Sequence, residues 1–181
     1  MVLIFSKYIY MASISSYYTF YLIDKFGVSV SASQIMLFVF VVSTAVGTLV
    51  GGPVGDRYGR KVVIWISILG TAPFSLVLPH VGLVSTVLLS FCAGFMLSSA
   101  FPAILLYAQE LLPTKLGLVS GLFFGFSFGV GGIASAVLGL YADSYGIEAI
   151  YQWCAYTPLL GVVAVLLPDL RKTSSIIHTN D

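Results

Sequence analysis

Long apolar stretches run through the chain, and charged residues interrupt them at only a few places. No charged residue falls within 26–55, 62–109, 116–142 or 149–168. A membrane-spanning helix needs about 20 apolar residues. The run 62–109 is therefore long enough for two, and it breaks at the turn-forming sequence from Pro79 to Gly82. The pattern predicts an all-α integral membrane protein with six transmembrane helices, at about 2–23, 34–55, 62–79, 84–108, 116–141 and 150–167.

Composition narrows the class of protein further. Apolar residues make up 59% of the 181 residues and charged residues 8%, against roughly 25% charged in a soluble domain. So little charge cannot cover a water-soluble surface, and so much apolar sequence does not stay disordered. The net charge of +1 gives no basic face for nucleic acid. We expect the lipid bilayer as a partner, one transmembrane domain at 1–168, and a polar tail at 169–181.

The distribution of Lys and Arg predicts the orientation, because these residues favour cytoplasmic loops. An N-terminus inside the cell places seven of the eight on the cytoplasmic side and leaves only Lys25 outside. Both termini are then cytoplasmic. Apolar residues follow Met1 at once, and we expect a piece of a longer protein or a start within one. Cys92 and Cys154 lie in apolar runs and predict neither a disulfide nor a metal site.

Two rows of glycines at four-residue spacing mark helix surfaces that can approach another helix closely. The second predicted helix carries one row and the fifth carries the other, and their equivalent positions suggest a three-plus-three repeat. Sliding interfaces and static packing are both compatible with such rows. The residues are Gly47, Gly51 and Gly55, and Gly121, Gly125 and Gly129.

The connection between the second and third helices, residues 51–61, reads GGPVGDRYGRK. Asp56 lies at the C-terminal end of a helix, where the helix dipole disfavours an anion, so it needs a cationic or N–H partner. Arg57 and Arg60 can supply one, and so can the start of the fifth helix near Thr114. Glu110 lies on the same side and can pair with an arginine. The alternative is that these cations are ordinary anchors on the cytoplasmic side.

The spacing Gly52-x-x-x-Asp56-Arg57-x-Gly59-Arg60-Lys61 resembles the signature loop of the major facilitator superfamily. In that family the loop follows the second helix of each six-helix half and acts as a conformational lock on the cytoplasmic side. The resemblance implies that Asp56 meets the start of the fifth helix, at 114–117. It also implies that Arg57 or Arg60 meets Glu110.

Longer segments, at 6–27, 68–79 and 107–143, resemble the C-terminal half of bacterial fosmidomycin resistance proteins, which are drug exporters of this superfamily. The resemblance implies one half of a twelve-helix fold in the bacterial inner (plasma) membrane. It implies efflux of a small-molecule drug without a cofactor, coupled to protons in the complete protein. The implied partner is an N-terminal six-helix half or a second copy. The alternative is a stand-alone six-helix protein that acts as a homodimeric carrier or as a scaffold.

A stripe of hydroxyl side chains about 80° wide follows the first helix, and hydroxyls in hydrocarbon favour a protein interior or a wet cavity. The resemblance implies that this helix lines the central cavity, which makes the stripe a candidate for the substrate path. Tyrosines at the membrane interface are the alternative interpretation. The candidates are Tyr10, Ser13, Tyr17 and Tyr21, with Ser6 on the same stripe.

Residues 125–129 match the G-x-S-x-G pattern of serine hydrolases, which raises the alternative of an intramembrane protease. That chemistry needs a histidine base beside Ser127. His80 belongs to the outer turn, roughly 20 Å from Ser127 along the membrane normal at 1.5 Å per residue. We therefore expect a carrier without catalytic activity, and interpret Ser127 as a small packing residue.

Overall fold

The computed structural model describes residues 2–157, with side chains from residue 7 onward. This part of the chain forms six α-helices, with short 3₁₀ turns at Leu78–His80 and Pro113–Lys115. The remainder of the predicted sixth helix and the predicted tail lie outside the described residues. The helices are α1 Val2–Phe26, α2 Val30–Tyr58, α3 Arg60–Val77, α4 Leu83–Leu111, α5 Leu116–Tyr145 and α6 Ile147–Cys154.

The helices continue past the apolar stretches that predicted them. The second helix, predicted to end at 55, runs on to Tyr58, and the fifth, predicted to end at 141, runs on to Tyr145. Glycines with positive φ follow both ends, Gly59 at 100° and Gly146 at 85°. Such a conformation favours glycine and stops a helix. The prediction ended too early because it followed hydropathy, whereas backbone hydrogen bonding continues through the polar residues at the helix ends.

Within residues 2–157, four helical stretches have both the length and the hydropathy of a membrane span. They are Val30–Tyr58, Arg60–His80, Leu83–Leu111 and Pro113–Tyr145. Although α1 is 25 residues long, it is rich in tyrosine and serine, which lower its hydropathy. The all-α architecture is thus established for the described residues, and the number of six spans stays a prediction.

Packing is organised around α4, which lies against both α2 and α3, while α1 packs on α5 and α6. At one end the apolar core contains Tyr18, Tyr21 and Phe40. At the other end, Ile64 of α3 belongs to a second cluster that includes Phe123 of α5. These contacts make one bundle, and its two ends carry different polar connections.

Candidate functional site

The loop at 51–61 closes on a single residue. α2 ends at Tyr58, α3 begins at Arg60, and Gly59 between them has φ 100° and donates its N–H to the Gly55 carbonyl at 3.0 Å. A side chain at position 59 would be strained at this φ. Because the chain reverses in so few residues, Asp56 and Arg60 come to face each other. We call this end of the bundle the signature-loop end.

Arg60 joins two carboxylates that belong to different helices. Its Nη1 lies 2.8 Å from Asp56 Oδ1, and its Nε donates to Glu110 Oε1 at 2.7 Å. The Arg60 side chain is 19% exposed, whereas those of Asp56 and Glu110 are 65% and 45% exposed. The guanidinium fork suits two acceptors at once. One partly buried cation therefore connects the end of α2, the start of α3 and the end of α4.

The sequence left open whether Arg57 or Arg60 pairs with Glu110, and the structure shows the pair with Arg60. Arg60 is paired with Glu110, while the Arg57 guanidinium lies over the Tyr58 ring, 5.6 Å from its centroid. Asp56 has Arg60 as an ion-pair partner, and its expected contact with the start of α5 near Thr114 stays a prediction. The roles expected for Gly52 and Lys61 are likewise untested.

A further hydrogen bond connects α4 to α5 at the same end. Gln109, the residue before Glu110, donates from its Nε2 to the Ser120 hydroxyl at 2.8 Å. The Ser120 hydroxyl in turn donates to the Leu116 carbonyl at 2.9 Å. Polar contacts therefore run from α2 through α3 and α4 to α5. Gln109 directly precedes Glu110, but no motif or charge in the sequence marks it as a contact residue.

The opposite end carries a second polar connection, which no motif in the sequence predicts. Lys25 Nζ donates to the Tyr21 hydroxyl at 3.1 Å and to the Pro79 carbonyl, and lies 3.6 Å from Glu148 Oε1. The ammonium also lies 5.6 Å from the centre of the Phe26 ring. Lys25 thus joins α1, the turn after α3 and the start of α6. In the sequence, Lys25 is notable only as the single Lys or Arg residue predicted to lie outside. No sequence pattern indicates that these three segments meet.

The two glycine rows have different surroundings. A Cβ on Gly47 would collide with the Phe95 backbone, and one on Gly51 would lie 2.6 Å from Ser99 Cα. The row on α2 therefore allows α4 to approach at backbone distance. Gly55 continues this row beneath Arg60, whose Nη1 is 3.7 Å from the position of its missing Cβ.

The row on α5 faces no neighbour within the described part of the chain. Nothing lies within 4 Å of the Cβ position of Gly121, Gly125 or Gly129. A shallow groove of about 580 Å³ follows this surface and is lined by Gly117, Gly121 and Gly125, with neighbouring leucine and phenylalanine side chains. The row is thus available for contact with a helix that the described residues do not supply.

The hydroxyl stripe predicted to line a substrate path faces other helices of this chain. Tyr10, Ser13 and Tyr21 are buried. The Tyr21 ring stacks on Tyr151 of α6 with 4.0 Å between centroids, and the Tyr17 hydroxyl donates to the Ser135 carbonyl of α5 at 2.6 Å. These contacts account for the stripe by packing, and a role in lining a path stays a prediction.

The remaining candidate chemistry can be placed briefly. Ser127 of the G-x-S-x-G pattern is fully buried within α5, whereas His80 is exposed at the end of a 3₁₀ turn. Among residues 2–157, no group of three or more His, Cys, Asp or Glu side chains could hold a metal ion. Cys92 is half-buried and Cys154 buried, both as free thiols.

Comparison with known proteins gives a consistent result. The family model of the Major Facilitator Superfamily matches residues 1–179. The chain is 61% identical over 171 residues to the fosmidomycin resistance protein of Escherichia coli K12, covering 94% of this chain and 42% of that protein. An uncharacterized MFS-type transporter of Bacillus subtilis is 41% identical over 160 residues, covering 88% of this chain and 39% of its own length. The chain thus spans about two fifths of the length of these curated relatives. No solved structure matches.

Proposed function

Because the chain belongs to the major facilitator superfamily, we propose that it is the C-terminal six-helix half of a drug efflux carrier in the bacterial inner membrane. The substrate proposed for the assembled carrier is fosmidomycin or a drug of similar chemistry. The support is the 61% identity to a fosmidomycin resistance protein across 94% of this chain. We further propose that export is coupled to protons in the complete protein and involves no catalytic step.

The observation that carries this proposal is the position of Arg60 between Asp56 and Glu110. A carrier must alternate between two states that differ by a few kcal/mol, and contacts present in only one state set their balance. The Arg60 pairs join three helix ends, and we propose that they form in the state closed at the signature-loop end. Opening that end breaks them. We place this end on the cytoplasmic side because most of the Lys and Arg residues lie there.

The partner that we propose is an N-terminal six-helix half. The glycine row on α5 supports it, because this surface has the small residues of a helix–helix contact and no neighbour among the described residues. A second copy of the chain would present the same surface. The alternatives are a homodimeric carrier and a scaffold without transport. An experiment must distinguish both from a C-terminal half that needs an N-terminal half.

Drug resistance in a fosmidomycin-sensitive strain tests the proposal directly. The chain is expressed alone and together with the N-terminal half of the Escherichia coli relative. We expect no resistance from the chain alone and measurable resistance from the pair. The matched control is the Escherichia coli protein itself, divided at the same position and expressed as two halves.

Each departure from this result has a defined meaning. Robust resistance from the chain alone would favour the homodimeric carrier and contradict the proposed half. If the divided Escherichia coli protein confers resistance and the mixed pair reaches the membrane without conferring any, the proposed drug efflux is wrong for this chain.

A further inference from the structure

Lys7 is buried inside the bundle, although in the sequence it counts as one of the cations near the cytoplasmic ends of the helices. Only 5% of its surface is exposed. Its ammonium lies 5.0 Å from the centre of the Phe101 ring of α4 and 5.8 Å from that of Tyr8. No carboxylate in the described part of the chain forms an ion pair with it. Lys7 thus differs from Lys25 and Arg60, which each pair with a carboxylate of another helix.

The position of Phe101 indicates the depth at which Lys7 is buried. Phe101 precedes Glu110 by nine residues on α4, which is ~14 Å along the helix axis at 1.5 Å per residue. Phe101 and Tyr8 pack against a buried apolar cluster that includes Phe123 of α5. A charge at this depth is costly because neither water nor a counter-charge compensates it. Lys7 therefore raises the free energy of the conformation that buries it, whether it keeps its charge or gives up its proton.

The contact between α1 and α4 differs in kind at its two ends. Toward the end of the bundle that carries Lys25, the hydroxyls of Tyr18 and Ser90 share a buried hydrogen bond at 2.8 Å. Toward the signature-loop end, Lys7 lies over the Phe101 ring. Tyr18 follows Lys7 by 11 residues, and Phe101 follows Ser90 by 11, so each pair lies on one face of its helix about three turns apart. We call Lys7, Tyr18, Ser90 and Phe101 the α1–α4 seam.

We propose that Lys7 acts against the Arg60 connection and favours opening of the α1–α4 seam at the signature-loop end. This inference rests on the proposed alternation between two states. When the seam opens about the hydrogen bond of Tyr18 and Ser90, the Phe101 ring leaves the ammonium and water reaches it. Arg60 stabilises the closed state through its two carboxylates, whereas Lys7 destabilises that state through its burial. Opposed contributions of this kind keep two states close in free energy, as alternation requires.

The reactivity of a buried thiol measures how often the seam opens. The experiment uses the chain paired with the N-terminal half of the Escherichia coli relative in permeabilised cells. Ile104→Cys is the reporter, with every other cysteine of the pair replaced by alanine. Ile104 is 7% exposed and lies about one turn from Phe101, toward the signature-loop end. A water-soluble thiol reagent therefore reacts with it when the seam is open.

Removal of the buried charge is the main test. Lys7→Met keeps an unbranched side chain of similar length and deletes the ammonium. An apolar side chain in place of a buried charge commonly stabilises the state that buries it. We therefore expect the labelling rate of Ile104→Cys to fall at least about fivefold in Lys7→Met, and the thermal unfolding midpoint of the purified pair to rise. Lys115→Met is the matched control and should change neither, because Lys115 is exposed at the same end.

The opposition between the two cations gives a second test. Arg60→Ala alone should raise the labelling rate, because it removes the pairs that hold the signature-loop end closed. In the double variant of Lys7→Met and Arg60→Ala, the rate should return toward that of the unsubstituted pair, since both opposed contributions are then absent. A Lys7 that only holds the helices together would instead add its own increase to that of Arg60→Ala.

The outcomes separate this inference from the proposed function. An unchanged or higher labelling rate in Lys7→Met would overturn it. A lower unfolding midpoint, or loss of the chain from the membrane, would show that Lys7 holds the fold together and would overturn it as well. If labelling follows the expected pattern and the pair confers no resistance, the inference stands and the proposed drug efflux is wrong. If the pair confers resistance and Lys7→Met labels at the unsubstituted rate, only the inference is wrong.

Discussion

The side chain of Arg60 makes two short contacts, and each fixes a different pair of helix ends. Exposed ion pairs contribute little to stability, but a cation that is 19% exposed is less screened by water. Loss of this cation leaves Asp56 and Glu110 without the charge that they share. The connection at this end of the bundle therefore depends on position 60 more than on either carboxylate.

We predict that Arg60→Ala lowers the thermal stability of the detergent-purified chain and that its effect is not additive with that of Glu110→Gln. Residues that share a contact show coupling energies of about 0.5–3 kcal/mol, of either sign, in double-mutant cycles. The measurement is the midpoint of thermal unfolding for both single variants and the double variant. Lys61→Ala removes a charge at the next position and is the control. Additive effects of Arg60→Ala and Glu110→Gln would show that the pair is not an energetic connection.

At the scale of helices, the contact of α2 with α4 depends on the absence of a side chain at Gly51. An added methyl group would meet the backbone of Ser99, which cannot move aside as a flexible side chain does. We predict that Gly51→Ala destabilises the chain by about 1–3 kcal/mol, as overpacking commonly does. Gly125→Ala is the control, because nothing described lies within 4 Å of its Cβ position. Equal losses in thermal stability for the two variants would contradict this assignment.

The helices were predicted from hydropathy, and this signal determines which of their features the sequence reveals. Hydropathy located the helices well, because the requirement for apolar length in a bilayer is independent of tertiary contacts. It placed the end of α2 before Asp56, since a charged residue ends an apolar run but does not end a helix. The stop comes instead from Gly59, whose positive φ the composition alone does not reveal.

The faces of the helices could not be predicted in the same way. A helical wheel correctly grouped Tyr10, Ser13, Tyr17 and Tyr21 on one stripe of α1, but it does not indicate what that stripe faces. Their partners, Ser135 and Tyr151, lie more than 100 residues away in the sequence. The same limit applies to Lys25, whose partners come from three separate segments. The motif left Arg57 and Arg60 as possible partners of Glu110. Only the packed structure shows that Arg60 forms the pair.

At the scale of the whole molecule, the orientation that we propose in the membrane rests on the unequal distribution of Lys and Arg residues. Tyr58 and His80 are both exposed and lie on either side of α3, whose 18 residues span ~27 Å, close to the thickness of the hydrocarbon layer. We predict that in intact cells a cysteine at position 80 reacts with a membrane-impermeant thiol reagent and that one at position 58 does not. Cys92 and Cys154 are replaced first, so that each variant carries a single thiol. Permeabilised cells provide the control, since both positions should then react. The reverse pattern in intact cells would place the signature-loop end outside, where Arg60 and its two carboxylates could not act as a cytoplasmic lock.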